Sequence, residues 1–335
     1  MNGKCGKWFS PEKKCSMADE ILKGAFSAEE VADEIEDMRE SGLPRGQSIG
    51  WWALDPFYTV PKGQWTVVTG FSGSGKSTWL DNVFVQLAQN AGWKILICSP
   101  ENQPIKRHVA SLMEIYAGKK FGRPNPKFPT VPKRAYMSDE EHKAAYAFVC
   151  EHFYFINPPD TDFTVDGIIA IAAEVYENHF QFDGMVLDPY NEIEHKAPSG
   201  MSETSYISTV IQKYRSFTRQ LNIHFWFVAH PTKPTRVPVK YQAQDLDDVA
   251  KKPVYQRATL FDISGSAHWK NKCDFGIIVH RDMNDASAPS IIEIEKIRFR
   301  ENGNWGEVPM YYDFLCNRFV EHYDQLLYGK VRDYE

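Results

Sequence analysis

Residues 65–82 read WTVVTGFSGSGKSTWLDN, and this stretch decides the fold. WTVVT is a short β-rich run, and KSTWLDNVFVQLAQNA after it has helical composition. Between them Gly70, Phe71, Ser72, Gly73, Ser74, Gly75, Lys76, Ser77 and Thr78 satisfy GxxxxGK[ST], with a strand before and a helix after. Glycines let the backbone curl around phosphates with its N–H groups pointing inward. Lys76 can reach β- and γ-phosphates, the Ser77 hydroxyl can ligate Mg²⁺, and the helix start adds a favourable dipole end. Gly70, Ser72, Gly73, Ser74, Gly75, Lys76, Ser77 and Thr78 are the expected phosphate cradle.

Downstream the strand–helix alternation continues. WKILICSPE, FDGMVLDPY and IHFWFVAHP read as strands, with helical segments QPIKRHVASLMEIYAG, FTVDGIIAIAAEVYENH and TSYISTVIQKYRSFTRQLN between or beside them. YAFVCEHFYFINPP is a further strand candidate, and CDFGIIVHRD and SIIEIEKIRF add late strands. Two-sided apolar runs suit a parallel sheet covered on both faces, so the expectation is an α/β domain with a mostly parallel central sheet. Upstream, residues 1–50 differ: SMADEILKGAFSAEEVADEIEDMR suggests two short helices, Ser27 and Glu30 form a capping-box pattern, and SGLPRGQSIG reads as linker. The expected organisation is a helical appendage and linker over 1–50 and one catalytic-type domain over 51–335.

The 335 residues are 43% hydrophobic and 24% charged, the supply of a globular protein. Lys plus Arg number 38 against 44 Asp plus Glu, a net charge of -6. That excludes a uniformly basic nucleic-acid binder but leaves room for a local basic channel. No run approaches the roughly 18 apolar residues of a membrane span, and no signal-peptide core follows the N-terminus. A cytoplasmic protein without a membrane partner is expected. Six scattered cysteines lack zinc-site spacing and argue against a disulfide framework.

Strand ends supply the remaining chemistry. Asp188 closes GMVLDPY and is the candidate second holder of Mg²⁺; Asp183 precedes the strand and suits the role less. Glu101 follows KILICSP and is the candidate base for the attacking water, with Glu192 as rival. Parallel strands deliver their C-terminal ends to one sheet edge, where ligands sit. His230 ends HFWFVAH at the same edge, placed to donate to a γ-phosphate and report its loss.

In order, VVTGFSGSGKSTWLDN, ICSPEN, GMVLDPYNEI, FWFVAHPTKP, DISGSAHWKNKCDFGIIVHRD and EKIRFRENGNWG resemble the motifs of RecA-type ring helicases. The resemblance spans roughly residues 42–320, and extends to phage and mitochondrial (Twinkle-like) primase-helicases and the DnaB-like bacterial helicase. It implies a RecA-like P-loop NTPase core that hydrolyses ATP, or another NTP or dNTP, with Mg²⁺. It implies a homo-oligomeric, commonly hexameric ring on single-stranded DNA, coupled to duplex unwinding. By the same resemblance Glu101 looks like the catalytic glutamate and His230 the phosphate sensor, a place where some members carry Gln. Gly265, Ser266, Ala267 and Asp274 match the motif entering the fifth core strand, and Arg281 the arginine near the base. Lys296 and Arg298 look like a pair reaching a neighbour's γ-phosphate, with Arg300 as adjacent competitor. Channel loops are expected after the Asp188 strand and over 232–260, where Lys233, Arg236, Lys240, Lys251, Lys252 and Arg257 lie, with Lys270 and Lys272 beyond.

The zinc module and priming region of the full primase-helicase pattern are not matched, so a separate primase or polymerase is an expected partner. The implied setting is a bacterial or phage-infected cell. A ring ATPase acting on protein partners and a filament-forming recombination ATPase are the competing functions.

Overall fold

The computed structural model describes residues 27–124, 131–158, 163–193, 200–231, 236–237, 254–255, 257–263, 266–282, 285 and 287–326. The chain divides into two compact units, 1–44 and 45–335. In the first, a 3₁₀ turn (Ala28–Val31) leads into α1 (Ala32–Ser41), and neither buries a residue. Ser27 donates its N–H and hydroxyl to Glu30, as the capping pattern predicts.

The boundary falls before Arg45 rather than after Gly50. Residues 45–50, read above as linker, belong to the larger unit: Gln47 and Val60 exchange backbone hydrogen bonds at 2.8 and 2.9 Å, and Ile49 is fully buried.

In that unit β1 (Trp65–Thr69), β2 (Ile95–Cys98), β3 (Phe153–Ile156), β4 (Gly184–Leu187) and β5 (His224–Val228) are parallel. β6 (Arg236–Val237) and β7 (Val254–Tyr255) form a separate antiparallel ribbon. β8 (Phe275–His280) joins the parallel set beside β1. β9 (Ser290–Ile297), β10 (Gly306–Asp313) and β11 (Arg318–Val320) extend it antiparallel. The order is β11-β10-β9-β8-β1-β5-β4-β2-β3. The helices are α2 (Lys76–Ala91), α3 (Ile105–Ala117), α4 (Asp139–His152), α5 (Val165–Asn178), α6 (Glu203–Leu221) and α7 (Ser266–Lys272).

The period-two rule explains the layers. On β5, Trp226 and Val228 join the core beneath α2, α3 and α4, whereas Phe225 and Phe227 join that beneath α5, α6 and α7. One expectation shifts: Tyr146–Cys150 lie in α4, and only Phe153–Ile156 are strand. Ser138 and Glu141 form a capping box, three acids fill the first turn, and helix therefore wins until His152.

Candidate active site

Gly70 lies at φ 147° and Gly75 at φ 92°, where a side chain would strain the backbone. A Cβ on Gly70 would also sit 2.2 Å from the Val279 carbonyl, so the loop rests directly against the end of β8. Gly75 caps α2, and Lys76 folds back to donate to the Gly70 and Phe71 carbonyls at 2.8 and 3.2 Å. Burial pushes the Lys76 ammonium below its ordinary pKa, opposed by the charges of Asp188 and Glu101.

Asp188, expected beside Ser77, is there: the Ser77 hydroxyl bonds its carboxylate. Asp188 is buried, and burial raises its pKa to about 6 despite that bond; the charges of Asp81 and Glu101 raise it further, and Lys76 lowers it. Its Oδ1, the Ser74 Oγ and the His230 Nε2 are buried atoms without hydrogen-bond partners. Leaving such atoms unsatisfied costs about 1–3 kcal/mol each, a cost that a Mg²⁺–phosphate group would relieve. A carboxylate beside a hydroxyl is an oxygen donor set suited to Mg²⁺. The residues therefore fit the group.

Glu101 and His230 meet at the same edge, with Oε1 and Nε2 3.7 Å apart. Two devices not foreseen in the sequence hold them. The Asn191 side chain accepts from the His230 backbone N–H at 2.8 Å, tying β5 to the turn after Asp188. Ser99 donates to the Asp188 carbonyl at 3.0 Å and accepts from Asn102 at 2.9 Å, tying the Glu101 turn to β4. Burial first, then the charge of Lys76, lowers the His230 pKa, so the ring is neutral near pH 7. Glu192, the rival base, acts on His230 only through its charge. Asp183 is at the far edge, bonded to Lys62 and the Lys94 backbone N–H at 2.6 and 2.8 Å.

Behind Ser77, Asp81 of α2 pairs with His108 of α3 at 2.8 Å, both side chains buried. Asp81 lies one helical turn beyond Ser77, a spacing visible in the sequence; its partner 27 residues away was not.

Arg281 sits two residues beyond Val279 with its guanidinium 5.3 Å from the Phe314 ring. Phe314, half exposed, was missed because it belongs to the turn between β10 and β11, which carried no strand expectation.

Lys296 and Arg298 lie elsewhere. In the β8–β9 register Ile297 pairs with Phe275, the first residue of β8, at the edge opposite the phosphate loop. Lys296 donates to the Lys270 and Asn271 carbonyls, and Arg298 to those of Lys272 and Cys273 at 2.8 and 3.2 Å. Arg298 Nε also pairs with Asp274 at 2.8 Å. Arg300 is exposed in the 3₁₀ turn that follows β9, not on the strand face expected with Arg298.

Of the expected channel cations, Lys233, Lys240, Lys251 and Lys252 lie outside the described residues, as does Gly265. Arg236 contributes backbone to the β6–β7 ribbon. Lys270 pairs with Glu295 over the Phe261 ring, Lys272 donates to Ser208, and Arg257 pairs with Glu307, so each has an intramolecular partner. Among the described residues no cluster of His, Cys, Asp and Glu forms a metal site, and no helix is long and apolar enough to cross a membrane.

No protein-family model matches the chain. It is 35% identical over 300 residues to the Twinkle homolog protein, chloroplastic/mitochondrial, of Arabidopsis thaliana, covering 87% of this chain and 39% of that protein. The chain thus spans well under half of that relative's length. That relationship overturns the expectation of a cytoplasmic protein from a bacterial or phage-infected cell: the named relative is organellar and from a plant. Motor motifs carry no compartment, which is why resemblance misled here. Among solved structures, a helicase-type ATPase domain superposes with TM-score 0.65 at 15% identity, over 88% of this chain and 99% of that one. A DnaB-like replicative helicase, described with its interactions with primase, gives 0.64 at 15% identity, over 88% and 67%. The chain is a RecA-like P-loop protein related to the Twinkle type and sharing its fold with that ATPase domain and the DnaB-like helicase.

Proposed function

We propose that this chain is the motor of a ring helicase, hydrolysing ATP or another nucleoside triphosphate with Mg²⁺ to move along single-stranded DNA and part the duplex. The observation that carries this reading is the meeting, at one sheet edge, of Lys76, the Ser77–Asp188 contact and the Glu101–His230 pair.

In this reading Lys76 exchanges the Gly70 and Phe71 carbonyls for β- and γ-phosphate oxygens. Ser77 and Asp188 hold Mg²⁺, which would neutralise charge developing on the phosphates. Glu101, half exposed, orients the attacking water and accepts its proton. Neutral His230 donates from its ring to the γ-phosphate and, through Asn191, passes the loss of that contact to the loops after β4 and β5. Arg281 and Phe314 take the base between a cation and a ring. Arg298 and Lys296 serve a neighbouring copy's nucleotide, a role supported by their position at the opposite edge and by the resemblance of EKIRF.

A ring, six subunits by resemblance, and a primase or polymerase partner belong to the same proposal. The experiment measures turnover with and without single-stranded DNA, then strand displacement on a forked duplex. DNA-stimulated turnover with displacement is the expected result. Turnover indifferent to DNA would replace it by the protein-directed ring ATPase.

A further inference from the structure

A second basic site lies at the sheet edge away from the phosphate loop. Ser208, Gln212, Arg215 and Arg219 recur at spacings of four, three and four on α6 and so share one face. With Lys272 at the end of α7, the Gln212–Gln220 part of this face lines a cavity of about 490 Å³. The Arg215 Nε is buried and without a hydrogen-bond partner. Among the described residues, Asp274 is the carboxylate whose charge offsets those of Arg219 and Arg298 at Arg215, and it is already bonded to Arg298. Arg298 in turn donates to the Lys272 carbonyl at 2.8 Å, so the cavity and the proposed finger adjoin. Like-charged guanidinium groups crowded round an orphaned donor make a site for a polyanion, and their forked N–H groups match phosphate oxygens two at a time.

We propose that Arg215 and Arg219, with Lys272, form a phosphate-binding site that grips the terminal phosphates of a nucleotide held by the phosphate loop of a second copy of this chain. The inference rests on the ring-motor reading above and adds to it residues on a different element. The chain's own nucleotide is out of reach. β1 alone separates the two edges by five residues, roughly 15 Å at about 3.3 Å per residue. Adjacency to Arg298 favours a nucleotide over the backbone of a bound strand.

The test pairs two variants of the full chain. Arg215→Gln/Arg219→Gln keeps its phosphate loop but lacks the site; Lys76→Ala keeps the site but lacks the loop. Each alone should turn over at least about tenfold more slowly than the wild type, equivalent to about 1.4 kcal/mol of barrier. Mixed, they should regain turnover above the sum of the two, because some interfaces join an intact loop to an intact site. The wild type is run alongside: if it does not hydrolyse nucleotide, the motor reading itself fails.

If the wild type turns over and the mixture shows no gain, the site does not act across an interface and the inference is overturned. Arg215→Lys/Arg219→Lys guards against a folding defect: it should recover much of the lost nucleotide KM. Unaltered ATP kinetics in the Gln variant, with a raised DNA concentration for half-stimulation, would assign the cavity to nucleic acid and also overturn the inference.

Discussion

Arg298 Nε donates to Asp274 Oδ1 at 2.8 Å, at the sheet edge opposite the one where Lys76 begins α2. The pair is largely shielded on the acid's side, and Asp274 also accepts from the Trp65 backbone N–H at 3.2 Å. The finger candidate is thus anchored at the base of β1, the strand whose other end is the phosphate loop. A displacement at Arg298 therefore has a covalent route to the loop of its own chain.

Arg298→Ala should lower turnover of the assembled protein by about 10³-fold or more, the scale of an arginine finger, with nucleotide binding by Lys76 largely kept. Steady-state kinetics beside fluorescent-nucleotide titration separates the two. Mixing Arg298→Ala with Glu101→Ala subunits should restore some competent interfaces. Normal hydrolysis by Arg298→Ala in the assembled state refutes the assignment.

Asp188 gives a pH dependence with a definite sign. Its pKa rises to about 6 because burial penalises the carboxylate. Between about pH 4 and 6 the folded chain binds more protons than the unfolded one, so ligand-free stability falls as pH rises across that window. The effect is about 3 kcal/mol at most. Mg²⁺ needs the carboxylate, so metal-dependent nucleotide binding should weaken as pH falls below about 6. Asp188→Asn should flatten both curves and raise the ligand-free melting temperature at pH 8. Calorimetry from pH 4 to 8 with and without Mg²⁺ reads both.

The sequence made the nucleotide edge legible because its parts are local. A glycine loop between strand and helix, and acids or a histidine at strand ends, need only the rule that parallel strands share a C-terminal edge. Arg298 was legible by resemblance, but its partner Asp274 and the carbonyls at the end of α7 depend on the β8–β9 register. The same holds for Phe314 under Arg281 and for His108 against Asp81, contacts between elements that no spacing reveals. Tyr146–Cys150 misled because apolar and aromatic residues suit either state; the capping box decided for helix.

His108 and Asp81 should behave as a buried charge pair. The His108 pKa is raised: burial alone would lower it, but the charge and hydrogen bond of Asp81 outweigh that. The stabilisation is therefore full below about pH 6.5, the ordinary histidine value, and is lost as pH rises through the raised folded value. Asp81→Asn should cost about 3–5 kcal/mol at pH 6, because it leaves a buried cation without its counter-charge, and less at pH 9. Urea denaturation at the two pH values measures the difference, and an equal cost at both would show that the pair is not ionic.

His230 is held neutral by burial and the Lys76 charge, with its backbone N–H fixed to Asn191. Its proposed work needs a ring donor at the γ-phosphate and a rigid link to the neighbouring turn, not a titrating charge. His230→Gln keeps a donor of similar reach and should retain most turnover and its stimulation by single-stranded DNA. His230→Ala loses the donor but keeps the backbone bond to Asn191, so nucleotide binding should survive while DNA stimulation falls by about tenfold, near 1.4 kcal/mol of barrier. Asn191→Ala keeps the donor but breaks the link, and should lower stimulation while leaving basal turnover less affected. Were basal turnover in His230→Gln to fall as far as in His230→Ala, with a pH profile shifted near neutrality, His230 would be acting as an acid or base, and the sensor assignment would be wrong.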